Sequence, residues 1–184
     1  MREYEQALQT LESELKGLPS ALPKQYRLAI DHLKPNLSED QLDEWARRCM
    51  ALAGQSVRSW EAAGEYLHAS PNVFGEWGWE RFLGWSDLGA QLAGVATGLG
   101  TAFFRASNQM VGHVTPELIG EWADLGKQLY KGTWKSGSLA GEFLDLGPKL
   151  LPLVSLSDLR TLVRFLDDLA NRSLPDMVRT ILDS

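Results

Sequence analysis

The chain has 184 residues, 44% of them hydrophobic, which supplies a core for one ordinary domain or a short repeat array and excludes global disorder. Its formal net charge of −6 argues against a nucleic-acid footprint, which needs a concentrated basic face. The single cysteine, Cys49, excludes an internal disulfide framework and a cysteine-only metal cluster, and its apolar-periodic surroundings mark it as a small buried hydrophobe.

The first residues, Met1-Arg2-Glu3-Tyr4, are charged and lead into no apolar core of the signal-peptide kind, which predicts a cytoplasmic protein. The segment 4–34 places Leu8, Leu11, Leu15 and Leu18 at helix spacing, then Tyr26, Ile30 and Leu33, with Pro19 and Pro23 breaking the chain between them. Residues 1–36 are read as an N-terminal helical cap, with a degenerate first copy of the repeat that follows as the alternative for 4–34.

From residue 37 onward a passage of roughly forty residues recurs. Trp45, Trp85 and Trp122 each open a similar run, and a leucine stands seven positions later in each: Leu52, Leu92 and Leu129. A fourth, weaker copy has Leu162 in the tryptophan place and Leu169 at the same offset. The second half recurs as well. Glu65-Tyr66-Leu67-His68-Ala69-Ser70-Pro71 matches Glu142-Phe143-Leu144-Asp145-Leu146-Gly147-Pro148, while the middle copy, Ala102-Phe103-Phe104, comes three residues early. The units run over 37–77, 78–114, 115–154 and 155–184.

Each unit is expected to be a helical hairpin. Phe82, Trp85, Leu88, Leu92 and Val95 follow steps of three and four and so share one helix face. Ser38-Glu39-Asp40-Gln41 has capping-box form, Thr115-Pro116-Glu117 sets a capping hydroxyl before a first-turn proline, and Ser157-Asp158 begins the last copy similarly. Gly54, Gly94 and Asn171, and Gly132 in the third copy, stand where a left-handed residue would close the first helix. Ser70-Pro71 and Gly147-Pro148 mark the turn into the next unit. The rival local arrangement is one long helix per copy, with glycine merely tolerated. No alternating segment stands between turn signals, so no sheet is expected. The predicted fold is all-α, a right-handed α-solenoid-like array of about four helical hairpins, with an irregular helical bundle as the alternative; a lone hairpin cannot bury its apolar face, but stacked neighbours can.

Little chemistry is visible. His32, His68 and His113 are not paired at helical spacing, so no two-histidine metal site forms on one helix. Asp167 and Asp168 are adjacent and diverge on a helix. Asp87 and Asp124 occupy equivalent repeat positions, which suits a structural bond to a neighbouring unit. No phosphate-binding loop of the Gly-x-x-x-x-Gly-Lys type is present. Catalytic, cofactor-binding and metal-binding residues are therefore assigned to none. The longest uncharged run, Leu88 to Phe104, falls short of the roughly twenty apolar residues of a spanning helix. Its Gly94-x-x-x-Gly98 spacing is read as close helix packing, with a lipid- or granule-surface role as the alternative. Trp60, Trp77, Trp79 and Trp134 lie off the repeating position. Trp77, Trp79 and Trp134 are the candidate partner-binding residues, because exposed aromatics are favoured interface anchors.

The pattern Trp-x-x-Leu-Gly-x-x-Leu-Ala, followed by an aromatic-Leu pair and Ser-Pro, resembles the helical-repeat region of bacterial von Willebrand A-domain proteins of the CoxE/NorD-like group, encoded near MoxR-type AAA+ ATPases. The resemblance covers about residues 37–184. It implies a non-enzymatic protein–protein interaction or scaffold module in ATPase-assisted metalloenzyme maturation, with an AAA+ ATPase or a von Willebrand A-domain protein as partner. No von Willebrand A segment and no Asp-x-Ser-x-Ser metal-adhesion motif are present, so that domain's metal chemistry does not carry over.

Overall fold

The structure is a computed structural model that describes residues 1–13, 21–54 and 59–171. Leu15, Leu18 and Pro19, and the second half of the last unit at 172–184, lie outside the described residues. The chain is all-α, as the helical spacing predicts: the described residues contain helices and no strand. In chain order these are α1 (Glu3–Ser13), α2 (Ala21–Leu33), α3 (Glu39–Ala53), α4 (Ser59–Val95), α5 (Thr97–Met110), α6 (Pro116–Leu129), α7 (Trp134–Asp145), the single turn α8 (Gly147–Leu150) and α9 (Leu156–Asn171). Helix α4 is two limbs, 59–77 and 79–95, joined at Gly78, whose φ of 75° and ψ of 177° suit glycine alone.

The caps form where the sequence places hydroxyls. Ser38 Oγ accepts from the Gln41 amide at 3.2 Å while Gln41 Oε1 accepts from the Ser38 amide at 2.9 Å. Thr115 caps α6 through the Leu118 amide. The last unit begins two residues earlier than Ser157-Asp158 suggests: Ser155 is the cap, exchanging bonds with Asp158.

Three local expectations are corrected. Helix α4 runs through Pro71 and breaks at Gly78, because proline's φ is helical and the buried Ala69, Ser70 and Val73 around it hold the helix against the loss of one hydrogen bond. Gly54 closes α3 in a right-handed conformation, Gly94 lies inside α4 and Asn171 inside α9; of the expected closers Gly132 does take a positive φ, and positive φ falls otherwise on Gly78 and Gly112. Gly94 and Gly98 approach nothing, since Ala96 is extended between α4 and α5; the close approaches in that hairpin are Gly100, where a Cβ would lie 2.5 Å from Ala93 Cβ, and Gly89 against Phe104. Ala96 is the whole inner turn of this hairpin, and the three missing residues of the middle copy come out of that loop.

Helices pack in two tiers. α1 lies on α3, α3 on α4, α4 on α6 and α6 on α9; α2 lies on α4, and α5 on α7. The first helices of successive units thus form one tier and the second helices the other. The repeating tryptophans are the wedges between them: Trp45, Trp85 and Trp122 are buried, as are Leu52, Leu92 and Leu129. In three second helices an aromatic ring packs on the tryptophan of the next unit. Tyr26 lies 4.8 Å from Trp45, Tyr66 5.8 Å from Trp85 and Phe103 5.7 Å from Trp122.

The first hairpin belongs to this series. The Tyr26 hydroxyl donates to the Tyr4 carbonyl at 2.8 Å, as the Tyr66 hydroxyl donates to the Trp45 carbonyl at 3.2 Å. Tyr4 therefore stands in the tryptophan place and Leu11 in the leucine place, both buried. Asp43 of α3 accepts from the free Tyr4 amide at the start of α1, tying this hairpin to the second.

Candidate interaction surface

Ion pairs join equivalent faces of consecutive units. Arg48 bonds Asp87, Arg105 bonds Asp145 and approaches Glu65, Arg160 bonds Glu121, and Lys131 pairs with Asp167. Asp87 thus has the structural job that its repeat position suggests. Asp124 has no such bond, because Leu88 occupies the place of Arg48 in the preceding unit. Burial alone would lower the pKa of Arg48, but its hydrogen bonds to Asp87 and Glu44 outweigh that and hold it above the ordinary guanidinium value.

The second-helix tier carries a recess of about 730 Å³, bounded by α2, the first limb of α4 and α5. Gln25 stands on one wall, Trp60, Glu61, Glu65 and His68 on the middle helix, and Thr101, Arg105 and Asn108 on the other wall. Gly64 keeps the floor low: a Cβ there would meet Gln25 Oε1 at 3.0 Å. A second recess of about 620 Å³ follows between α5 and α7, walled by Ala102, Tyr130, Trp134, Gly141, Glu142 and Asp145. Arg105 links the two, with Nη2 3.1 Å from Asp145 and Nη1 3.7 Å from Glu65. Burial raises the Glu65 carboxyl above the usual carboxylate range, against the lowering effect of Arg105 and His68.

The candidate tryptophans divide between surfaces. Trp134 is the first residue of α7, after the Thr133–Ser136 capping box, and it is 89% exposed. Trp77 and Trp79 flank Gly78 and are half-buried. Trp79 stacks on Phe82 at 5.4 Å, stapling the second limb of α4, and Trp77 lines a recess of about 400 Å³ on the first-helix tier with Trp85, Leu88 and Ile119. Trp134 therefore shares no recess with the other two. The residues that local reading missed are Trp60, Glu61, Glu65 and Arg105. Glu65, Arg105 and Asp145 stand forty residues apart in the sequence but do not share one position of the repeat, so aligning the copies does not bring the three together.

The remaining reactive groups are quiet. Cys49 is fully buried, and burial pushes its thiol up to about 12. His32 Nδ1 lies 2.9 Å from the Leu28 carbonyl, and His68 and His113 are exposed. Among the described residues no three His, Cys, Asp or Glu side chains are grouped to hold a metal ion. No described helix is long and apolar enough to cross a membrane, and within 88–104 Leu92, Ala93, Leu99, Ala102, Phe103 and Phe104 are turned into the protein.

The described residues are all-helical and carry a recess on the second-helix tier. No protein-family model, curated protein or solved structure matches the chain.

Proposed function

We propose that the chain is a non-enzymatic protein-interaction module, a cytoplasmic solenoid-like scaffold that engages a partner polypeptide along its second-helix tier. The observation that carries this reading is Trp134, 89% exposed beside a recess rather than packed in the core. An indole in that state costs solvation until a partner covers it, and buried tryptophans are among the strongest interface anchors. The resemblance to the repeat region of CoxE/NorD-like proteins points to a MoxR-type AAA+ ATPase or a von Willebrand A-domain protein as that partner, and to assembly of a metalloenzyme as the setting.

The test is recovery of partners with the tagged chain from its native cytoplasm, compared with Trp134→Ala. The ring touches little of its own chain, so stability should change by no more than about 0.5 kcal/mol. Recovery should fall by roughly thirtyfold, the equivalent of a 2 kcal/mol hot spot. A Trp134→Ala protein, also carrying Trp77→Ala, that recovers every partner undiminished contradicts the reading.

A further inference from the structure

We infer that the recess between α2, α4 and α5 takes an extended polypeptide segment bearing a lysine, whose ammonium lies between Glu61 and Glu65 with its stem along Trp60. This rests on the interaction-module reading and specifies its ligand. Glu61 and Glu65 are one helical turn apart on the same face of α4, and both line the recess. Like charges at this spacing repel, so the pair destabilises its own helix unless a cation intervenes. Among the described residues Glu61 pairs with no cation. Glu65 has an ion pair with Arg105, at 3.7 Å, whose guanidinium is already hydrogen-bonded to Asp145, and the weaker influence of His68. The Glu65 side chain is 26% exposed, so its charge is held partly out of water with little compensation. Carboxylates also dominate farther along the tier, where Glu142 and Asp145 line the next recess.

The form of the ligand follows from the walls. A helix keeps its own backbone groups bonded internally, whereas an extended chain leaves N–H and C=O groups free for polar side chains on the recess walls, so the recess suits an extended chain better than a helical one. Gln25 and Asn108 face the recess from opposite walls. Asn108 Oδ1 accepts from Asn72 at 3.1 Å, which orients an amide suited to peptide N–H and C=O groups. Trp60 supplies a ring for the aliphatic stem and a cation–π contact for the ammonium.

The experiment is fluorescence anisotropy with a short labelled peptide of alternating serine and lysine, and the same peptide with every lysine acetylated. The lysine peptide should bind, and acetylation should weaken it by about tenfold or more. Glu61→Gln with Glu65→Gln should weaken the lysine peptide about as much, and the exposed Glu61→Gln alone by less, whereas Glu80→Gln, outside the recess, should leave it unchanged. Melting curves accompany each variant; the single Glu61→Gln keeps the test decisive if the double variant does not fold. Equal binding of the acetylated peptide, no binding of the lysine peptide at low salt, or indifference to both recess variants overturns the inference. Partner recovery that survives Glu61→Gln with Glu65→Gln but is lost in Trp134→Ala would overturn it too, while leaving the interaction-module reading in place.

Discussion

Replacing Gly89 by alanine tests how closely the helices of the third hairpin approach. In a helix interior this change normally stabilises by about 1 kcal/mol, because glycine loses more backbone freedom on folding. Here the added Cβ would lie 2.1 Å from Phe104 Cζ and 2.2 Å from Cε1. The ring would have to retreat by roughly 1.4 Å to regain ordinary carbon contact at about 3.5 Å. Phe104 has nowhere to go, since it packs edge-on against Trp85 at 4.9 Å, Tyr66 at 5.6 Å and Phe103 at 5.6 Å. Overpacking of this kind costs typically 1–3 kcal/mol, and a rigid aromatic neighbour puts it near about 3, so the net effect is destabilisation by about 2 kcal/mol. Gly84→Ala in the same limb meets nothing within 4 Å and should stabilise by up to about 1 kcal/mol. Gly126→Ala meets the flexible tip of Leu144 and should fall between the two. Urea unfolding followed by tryptophan fluorescence reads all three, with unchanged m-values as the check on comparability. If Gly89→Ala stabilises as much as Gly84→Ala, the inferred packing of α4 on α5 is wrong.

Trp85 Nε1 donates to Ser107 Oγ at 2.8 Å in the core, so Ser107→Ala leaves a buried donor unpaired and should cost about 1–3 kcal/mol in thermal unfolding; a cycle with Trp85→Phe isolates the bond. Cys49 should resist alkylation in the native state at neutral pH and react only as denaturant opens the core, as mass spectrometry of iodoacetamide-treated protein would show. Hydrogen bonds from the Ser155 side chain and then its amide hold Asp158 below the usual carboxylate value, so the cap's contribution is complete above that range and is lost as pH falls through the folded value. A carboxyl NMR titration, together with amide exchange at the start of α9, follows that loss. Glu65 behaves oppositely. Its carboxyl is raised by burial, so its contribution is favourable at low pH and is lost as pH rises through the folded value, and Glu65→Gln should melt no lower than the parent at neutral pH.

The architecture was legible where the same physical demand repeats. Trp45, Trp85 and Trp122 must each fill the wedge between two units, and the leucines two helical turns on must share their face, so period and burial agree. Tyr4 meets that demand with a different ring, and without the Tyr26 hydroxyl bond to its carbonyl the first hairpin does not announce itself as part of the series. Turns were harder to read because glycine and proline mark permission rather than necessity. Pro71 is carried inside a helix by its buried neighbours, and Gly94 is not needed for any close approach, whereas Gly78 is needed for its positive φ. The recess escaped local reading because Glu65, Arg105 and Asp145 sit on three helices and meet only when those helices stack. Trp134 was identifiable as off-register, but its exposure depends on its place at the first residue of α7, before that helix's buried face begins.

The account depends on aromatic rings that bridge one unit to the next. The most direct test is a nuclear Overhauser spectrum of the intact chain with selectively labelled aromatic residues. Cross-peaks should join Tyr26 to Trp45, Tyr66 to Trp85 and Phe103 to Trp122, pairs whose ring centres lie 4.8, 5.8 and 5.7 Å apart. If those cross-peaks are missing while the three indoles exchange and shift with solvent, the units do not stack through these rings and the account is contradicted.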